Sequence, residues 1–366
     1  MRDVLLVLNC GSSSIKFQVF ENDSRLMPIL KGKMKDIGGR PELVVAGHAK
    51  ITFGSGLSPD RALSEVVQWI HAHDNNWNII AAGHRIVHGG EVFSKPVVLD
   101  NEVLKTLQNF VSFAPLHMPY NLMGVETLKK MYPDIRQIGC FDTAFHAGLS
   151  ALHYSYALPS SLREQGIRKY GFHGLSYEWV MERIREELPN QANSRIVAAH
   201  LGNGASLCAI KNGKSVDTTM GMTALDGLPM GTRSGAVDPG IVLHMINEMR
   251  MSASGVENIL SKNSGLKGLS GISNDVRLLR QSDNPDATFA LRYFAFKVAQ
   301  HTAQMAVSLG GLDLLVFTGG IGENDERMRE SIIRHLSPFG SFATHIVKCN
   351  EERVIARHTQ RLLSES

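Results

Sequence analysis

Only four cysteines stand in 366 residues, and none of Cys10, Cys140, Cys208 and Cys349 falls in a Cys-x-x-Cys spacing. Most lie in or beside apolar segments, so the pattern argues against a disulfide framework or a thiolate metal site. It predicts reduced, buried thiols in a cytoplasmic protein. Charge of one sign is also missing: Lys+Arg 38 against Asp+Glu 35, with no basic block, excludes an ordinary nucleic-acid footprint. No apolar run approaches a membrane span, so no membrane partner is expected. The opening MRDVLLVLNCGSSS has a short apolar core running straight into a glycine turn, and reads as a first strand rather than a signal peptide. There is no GxxxxGK[ST], which removes the P-loop as a way of holding phosphate, and no low-complexity linker.

What the chain does have is length and glycine. At 366 residues it exceeds an ordinary single core, so two domains with a cleft are expected. Three glycine-rich segments each follow a short apolar run: NCGSSSIK at Asn9 to Lys16, HLGNGAS at His200 to Ser206, and TGGIGEN at Thr318 to Asn324. Val4 to Leu8 and Ile15 to Phe20 read as strands joined by the first tip, and Ile196 to Ile210 repeats the plan half a chain later, a hint of duplicated lobes.

Elsewhere strand-like and helix-like segments alternate, which argues an α/β fold with mixed sheets. Helical spacing is clear at Ala62 to Ile70, Val103 to Val111, Val125 to Met131, Leu175 to Ile184, about Asp286 to Leu309, and Glu351 to Leu363. Ile79 to Val87, Ile135 to Phe141 and Leu312 to Phe317 read as strands. The stretch Asn22 to Ser58 has no strong period.

Several residues suit anion chemistry. Serine hydroxyls and backbone N–H groups at the first tip can surround phosphate oxygens, with Lys16 as a mobile charge, although a plain hairpin would look the same. HLGNGAS lets backbone approach closely and adds His200, Asn203 and Ser206. TGGIGEN precedes a helix, so its glycines would present backbone at a helix N-terminus. Arg85 and Arg233 sit in small-residue settings where a planar guanidinium often grips carboxylate or phosphate, the alternative being a surface ion pair. DTAFH at Asp142 to His146 and FHGLS at Phe172 to Ser176 place titratable groups just after strand-like runs or beside glycine, where either catalysis or capping is possible.

Together these segments resemble the acetate kinase family over essentially the whole chain. Asn-x-Gly-Ser-Ser-Ser-x-Lys at Asn9 to Lys16, the His200 to Gly213 signature, GHRIVHGG, FDTAFH, FHG, MGTRSG, SND-x-R, FTGGIGEN and NEE occur in the family's order. The resemblance implies two duplicated actin/ribonuclease-H-like lobes with a cleft, one formed by residues 1–145 plus a C-terminal helix 353–366, the other, nucleotide-binding, by 146–352. It further implies ATP/ADP, Mg²⁺ (or Mn²⁺), acetate as a short-chain carboxylate substrate, and a homodimer.

Carried over by position, the resemblance gives Asn9 and Glu351 to the metal. Ser12 and Lys16 would meet phosphate, while His200, Leu201, Gly202, Asn203 and Gly204 would wrap the ATP phosphates. Asp275, Val276 and Arg277, with Gly320, Ile321, Gly322, Glu323 and Asn324, would line the adenosine site. Arg85 and Arg233 would grip the carboxylate and the transferring group, His173 would hydrogen-bond the transition state, and Asp142 would position that machinery. Val87, Leu116, Phe172 and Ala224 would form the acyl pocket. Ala224 stands where the family commonly has Pro, Tyr177 where it commonly has His, and the chain is shorter than usual mostly between residues 21 and 60.

A carboxylate nucleophile is already ionised, so transfer to it needs charge relief rather than a strong base. The expected reaction is therefore reversible phosphoryl transfer between ATP and acetate, with lobe closure excluding water. Propionate or butyrate as acceptor is the nearest alternative, followed by a sugar kinase using Asp142 as base, or a non-metabolic ATPase of the same fold.

Overall fold

A computed structural model describes residues 2–73 and 76–365. Met1, Asp74, Asn75 and Ser366, which fall inside the sequence-based first lobe, lie outside the described residues. The chain divides into two compact units, Met1–Ala144 with Asn350–Ser366, and Phe145–Cys349.

In the first unit, β1 (Arg2–Cys10), β2 (Ser14–Glu21), β3 (Pro28–Lys35), β4 (Glu42–Val45) and β5 (Ile51–Thr52) form an antiparallel meander. Next, β6 (Trp77–Ile86) lies parallel to β1, and β8 (Arg136–Phe141) lies parallel to β6. The short β7 (Val97–Val98) pairs antiparallel at the edge, for an order of β5-β4-β3-β2-β1-β6-β8-β7. Val4 through Leu8 are all buried, the continuous apolar run of a strand covered on both faces. Val4, Leu6 and Leu8 share a core with Leu63, Val66, Val67 and Ile70 of the helix Pro59–Ala72 and Leu128 of the helix Met118–Met131. Leu5 and Val7 are left for the opposite face, where the helix Glu351–Ser364 packs on β1, β6 and β8. That helix lies so close that a Cβ on Gly83 of β6 would sit 2.3 Å from Thr359 Oγ1 and 2.5 Å from Ile355 Cγ2.

The second unit repeats the plan. β9 (Ile196–Leu201), β10 (Ala205–Lys211) and β11 (Lys214–Thr218) are antiparallel, and β12 (Leu314–Thr318) and β13 (Ala343–Ile346) continue parallel from β9. The order β11-β10-β9-β12-β13 matches β3-β2-β1-β6-β8 strand for strand. Ile196, Ala198, Cys208, Ile210, Leu314 and Val316 pack against Tyr177, Val180, Met181 and Ile184 of the helix Gly174–Glu187. The helix Pro285–Leu309 also packs on this sheet. Its ends follow ordinary capping chemistry: Asn284 Oδ1 accepts from the Asp286 N–H at 2.8 Å, Pro285 opens it, and Gly310 ends it at φ 75°.

The fold is thus mixed α/β with two sheets flanked by helices, as the sequence implies. The unpatterned Asn22 to Ser58 stretch supplies β3, β4 and β5, and Gly32 there admits the Phe17 ring, whose Cζ would lie 2.4 Å from an added Cβ. Of the thiols, Cys10, Cys140 and Cys208 are buried and Cys349 is half-buried. Among the described residues no helix is long and apolar enough to cross a membrane.

Candidate functional site

The strand pairing brings the proposed groups of the first unit to one edge of its sheet. Asn9 lies opposite Lys16 across the β1–β2 hairpin, whose tip closes with the Gly11 N–H donating to Ser14 O at 2.9 Å and leaves Ser12 exposed. Leu8 pairs with His84, and Arg85 with Cys140, so β1, β6 and β8 deliver Asn9, Arg85 and Asp142 at their carboxyl ends. Carboxyl edges of parallel strands are where α/β folds place their chemistry.

Asp142 is 1% exposed and locked to Arg85. Arg85 Nε donates to Oδ1 at 3.0 Å and Oδ2 at 3.1 Å, and Nη2 donates to Oδ2 at 2.6 Å. Nη1 lies 3.4 Å from Glu351 Oε2, at the start of the helix Glu351–Ser364. Burial pushes the Asp142 carboxyl up, against the pull of the Arg85 charge. Burial works against the charge on Arg85 as well, but Asp142 and Glu351 outweigh it and hold the guanidinium firmly protonated. Cys10, beside Asn9, is inert, its thiol pushed up to about 12 by burial.

Asn121 was not singled out in the sequence and is structurally central. The Val87 N–H donates to its Oδ1 at 2.9 Å, and its Nδ2 donates to Cys10 O at 2.7 Å. One buried amide thereby ties the end of β1 to the end of β6. Nothing marks a lone Asn in a helix sequence as such a clamp. Val87 is nearly buried and Leu116 half-buried in the same unit.

In the second unit, the β9–β10 tip closes with the Gly202 N–H donating to Gly204 O at 3.0 Å. His173 precedes the helix Gly174–Glu187 in a left-handed conformation, φ 60°, rare for a residue with a side chain. Its Nδ1 lies 2.8 Å from Ser206 Oγ, and its ring stacks on His200 with centroids 4.3 Å apart. His200 Nδ1 lies 2.8 Å from Ser176 Oγ. A Cβ on Gly204 would lie 3.3 Å from His173 Nε2 and 4.0 Å from Arg233 Nη1, so these two groups converge where Gly204 leaves space. Arg233 Nη1 donates to Ala224 O at 3.1 Å, which places Ala224 beside it. The Arg233 loop is tied to the tip through the Gly231 N–H, which donates to Asn203 O at 3.0 Å. Phe172 is buried, its carbonyl held 3.0 Å from His146 Nε2.

A cavity of about 860 Å³ opens next to that tip. Gly202, Asn203, Asp275, Val276, Arg277, Gly320, Ile321 and Asn324 line it, all expected at the nucleotide. Asn274, Arg280, Gln281, Asp325, Glu326 and Arg327 line it too and were missed, because polar and charged residues beside helix ends look like ordinary solvated surface. Asn274 Nδ2 donates to Asn203 Oδ1 at 2.9 Å. Leu201, Gly322 and Glu323 do not line the cavity: Leu201 is buried, Gly322 packs near Phe317 and Ala199, and Glu323 Oε1 accepts from the Cys349 N–H at 3.0 Å. His200 and Gly204 lie instead on the His173 side of the tip. The glycines of TGGIGEN also differ from expectation. They form a helix of their own, Gly319–Asn324, rather than a loop before the helix Glu326–His335, because Asp325 breaks the run and caps the second helix through the Met328 N–H at 2.9 Å.

A sequence profile of the acetokinase family matches residues 4–362. The chain belongs to the acetokinase family. It is 41% identical over 390 aligned residues to an acetate kinase of Nitrobacter hamburgensis, covering 99% of this chain and 96% of that one. It also resembles an acetate kinase of Rhodopseudomonas palustris, 41% identical and covering 99% of each. Among solved structures, a propionate kinase from Francisella tularensis superposes with a TM-score of 0.92 at 34% identity, over 98% of this chain and 99% of that one. The acetate kinase of Porphyromonas gingivalis gives 0.88 at 35%, over 99% and 100%.

This acetokinase chain divides its candidate residues by unit. Asn9, Ser12, Lys16, Arg85, Val87, Leu116, Asp142 and Glu351 belong to the first, and His173, Arg233, Phe172, Ala224 and the cavity-lining residues to the second.

Proposed function

We infer that the chain catalyses reversible phosphoryl transfer from ATP to acetate, giving acetyl phosphate and ADP. The observation that carries this over a sugar kinase is the Arg85–Asp142 pair. Both Asp142 oxygens accept from Arg85, so Asp142 serves to hold a cation rather than to deprotonate an alcohol. A carboxylate acceptor needs no base, and a fixed guanidinium lowers the repulsion when it meets a polyanion.

The 860 Å³ cavity suits a nucleotide in size. The Asn203 amide and the Gly202–Gly204 backbone would receive its phosphates, and the Asp275–Arg277 and Gly320–Asn324 segments its adenosine. Arg85, Arg233 and the His173 imidazole would each serve the transferred group. Val87, Leu116, Phe172 and Ala224 would receive the acyl tail. Ser12 and Lys16 at the first hairpin tip would meet phosphate. Asn9 and Glu351 offer hard oxygen donors that fit Mg²⁺, which when bound would neutralise phosphate charge.

Propionate is the second reading. Ala224 in place of the common Pro enlarges the acyl end, and one of the similar structures is a propionate kinase. One methylene is worth only about 1–3 kcal/mol of discrimination. The test is hydroxamate formation with ATP, Mg²⁺, hydroxylamine and acetate, propionate or butyrate in turn. Highest kcat/KM with acetate supports the first reading, highest with propionate the second, and no product with any acid removes both.

A cytoplasmic setting is our reading, since the Cys10, Cys140, Cys208 and Cys349 thiols would stay reduced there. A homodimer is supported by the helix Pro239–Asn247, which buries no residue and exposes Ile241, Leu243 and Ile246. A solution mass of one chain at micromolar concentration would refute the dimer.

A further inference from the structure

The helix Gly174–Glu187 and the β9–β10 hairpin meet through a line of polar side chains whose geometry fixes one imidazole. His173, Ser176 and Tyr177 occupy positions i, i+3 and i+4 and so share a helix face, while Ser206 pairs directly with His200 across the antiparallel strands and shares its side of the sheet. The contacts run in sequence. Tyr177 Oη lies 2.5 Å from Ser206 Oγ, and Ser206 Oγ lies 2.8 Å from His173 Nδ1. Tyr177 and Ser206 are both fully buried.

We propose that Tyr177 and Ser206 are positioning residues that hold His173 as the neutral tautomer with its proton on Nε2, aimed with Arg233 at the space beside Gly204. The inference rests on the reading of His173 as the imidazole that meets the transferred phosphoryl group. Of the two hydroxyls the phenol is the more acidic and the better donor, so Tyr177 donates to Ser206. Ser206 then directs its own proton to His173 Nδ1, which must accept. Nδ1 as acceptor leaves the ring proton on Nε2, the atom 3.3 Å from where a Gly204 Cβ would stand. The reverse polarity would turn a lone pair toward an incoming phosphoryl oxygen and repel it. A Ser-to-His bond alone could run either way, because a lone serine rotates freely. The tyrosine at position 177, where the family commonly has His, is what gives the line its direction in this chain.

The experiment is ¹⁵N NMR of the resting protein labelled in its histidine rings. His173 is assigned by the signals lost in His173→Gln, and hydroxamate kinetics are measured on the same samples. The expected result is an Nε2–H tautomer for His173 in the unmodified chain and a mixture of tautomers in Tyr177→Phe and Ser206→Ala. In each variant kcat should fall roughly 10-fold with little change in KM for ATP. The double variant should fall no further than Ser206→Ala alone, because both changes cut one line. A proton on Nδ1 of His173 in the unmodified chain, or Tyr177→Phe with unchanged ring signals and unchanged kcat, overturns the proposal. The NMR result stands whether or not any acid is phosphorylated, so its failure is distinct from failure of the assigned reaction.

Discussion

Asp142 accepts from Arg85 at both of its carboxylate oxygens, in a pairing where the aspartate is buried and the remaining guanidinium nitrogen of the arginine lies near Glu351. Asp142→Asn keeps the shape and removes the charge, so Arg85 loses its fixed direction while Glu351 remains. We expect kcat to fall about 10²-fold and stability to fall by about 3 kcal/mol or less. Steady-state kinetics and urea unfolding check both, and wild-type turnover would contradict the positioning role.

Arg233 reaches the Gly204 space from a loop held by Asn203, outside the cavity assigned to ATP. Arg233→Ala should lower kcat by about 10²-fold or more with ATP affinity much less affected. A rise in KM for ATP at constant kcat would move Arg233 from the transferring group to the nucleotide.

The Asn274 amide holds the Asn203 side chain at the mouth of the cavity. Asn274→Ala should raise KM for ATP about 5- to 10-fold, the loss of roughly one hydrogen bond, with kcat nearly unchanged. Titration with ADP by calorimetry gives an independent reading, and unaltered affinity would exclude this pair from nucleotide binding.

Burial pulls the His84, His88 and His146 imidazoles from 6.5 down to about 4, keeping each neutral in the folded chain. The unfolded chain binds protons first as pH drops, so this stabilisation is present above about 6.5 and is lost as pH falls toward 4. The loss is up to about 1.4 kcal/mol per pH unit per histidine. Urea midpoints at pH 7.5, 6 and 5 should fall, and less steeply in His84→Gln. Equal slopes in the two proteins would remove His84 from the linkage.

Gly83 lies beneath the helix that carries Glu351. Gly83→Val needs room already filled by Thr359 and Ile355, and should cost about 1–3 kcal/mol by overpacking. Activity should drop with it, because the displaced helix takes Glu351 away from Arg85. Unchanged thermal unfolding would show that the helix yields at no cost.

Much of this arrangement could be read from residues alone because local chemistry repeats it. The Asn9–Lys16 tip interrupts two apolar strands with small residues, and the helix Pro285–Leu309 announces itself by Asn284, Pro285 and Gly310. Long-range pairing could not be read this way. β1 beside β6 joins residues some 75 positions apart, and neither strand's pattern names its partner. The β3–β5 stretch hid because PILKGKMK alternates only loosely, with Gly32 serving the Phe17 ring rather than the strand. Asn121 and Asn274 act through single amides whose importance comes from what folds against them. Arg85 and Asp142 could each be suspected of chemistry, but their bidentate union depends on adjacent strand ends 57 residues apart.

The helix Glu351–Ser364 belongs to the sheet built by the first hundred and forty residues. On the ribosome, that sheet must therefore wait, with Leu5 and Val7 uncovered, until the whole of the second unit has been synthesised. Domains ordinarily mature from the N-terminus as they emerge. Here the order is inverted: the part made first is finished last, and a chain that stalls just after Cys349 leaves a complete second unit attached to an unfinished first.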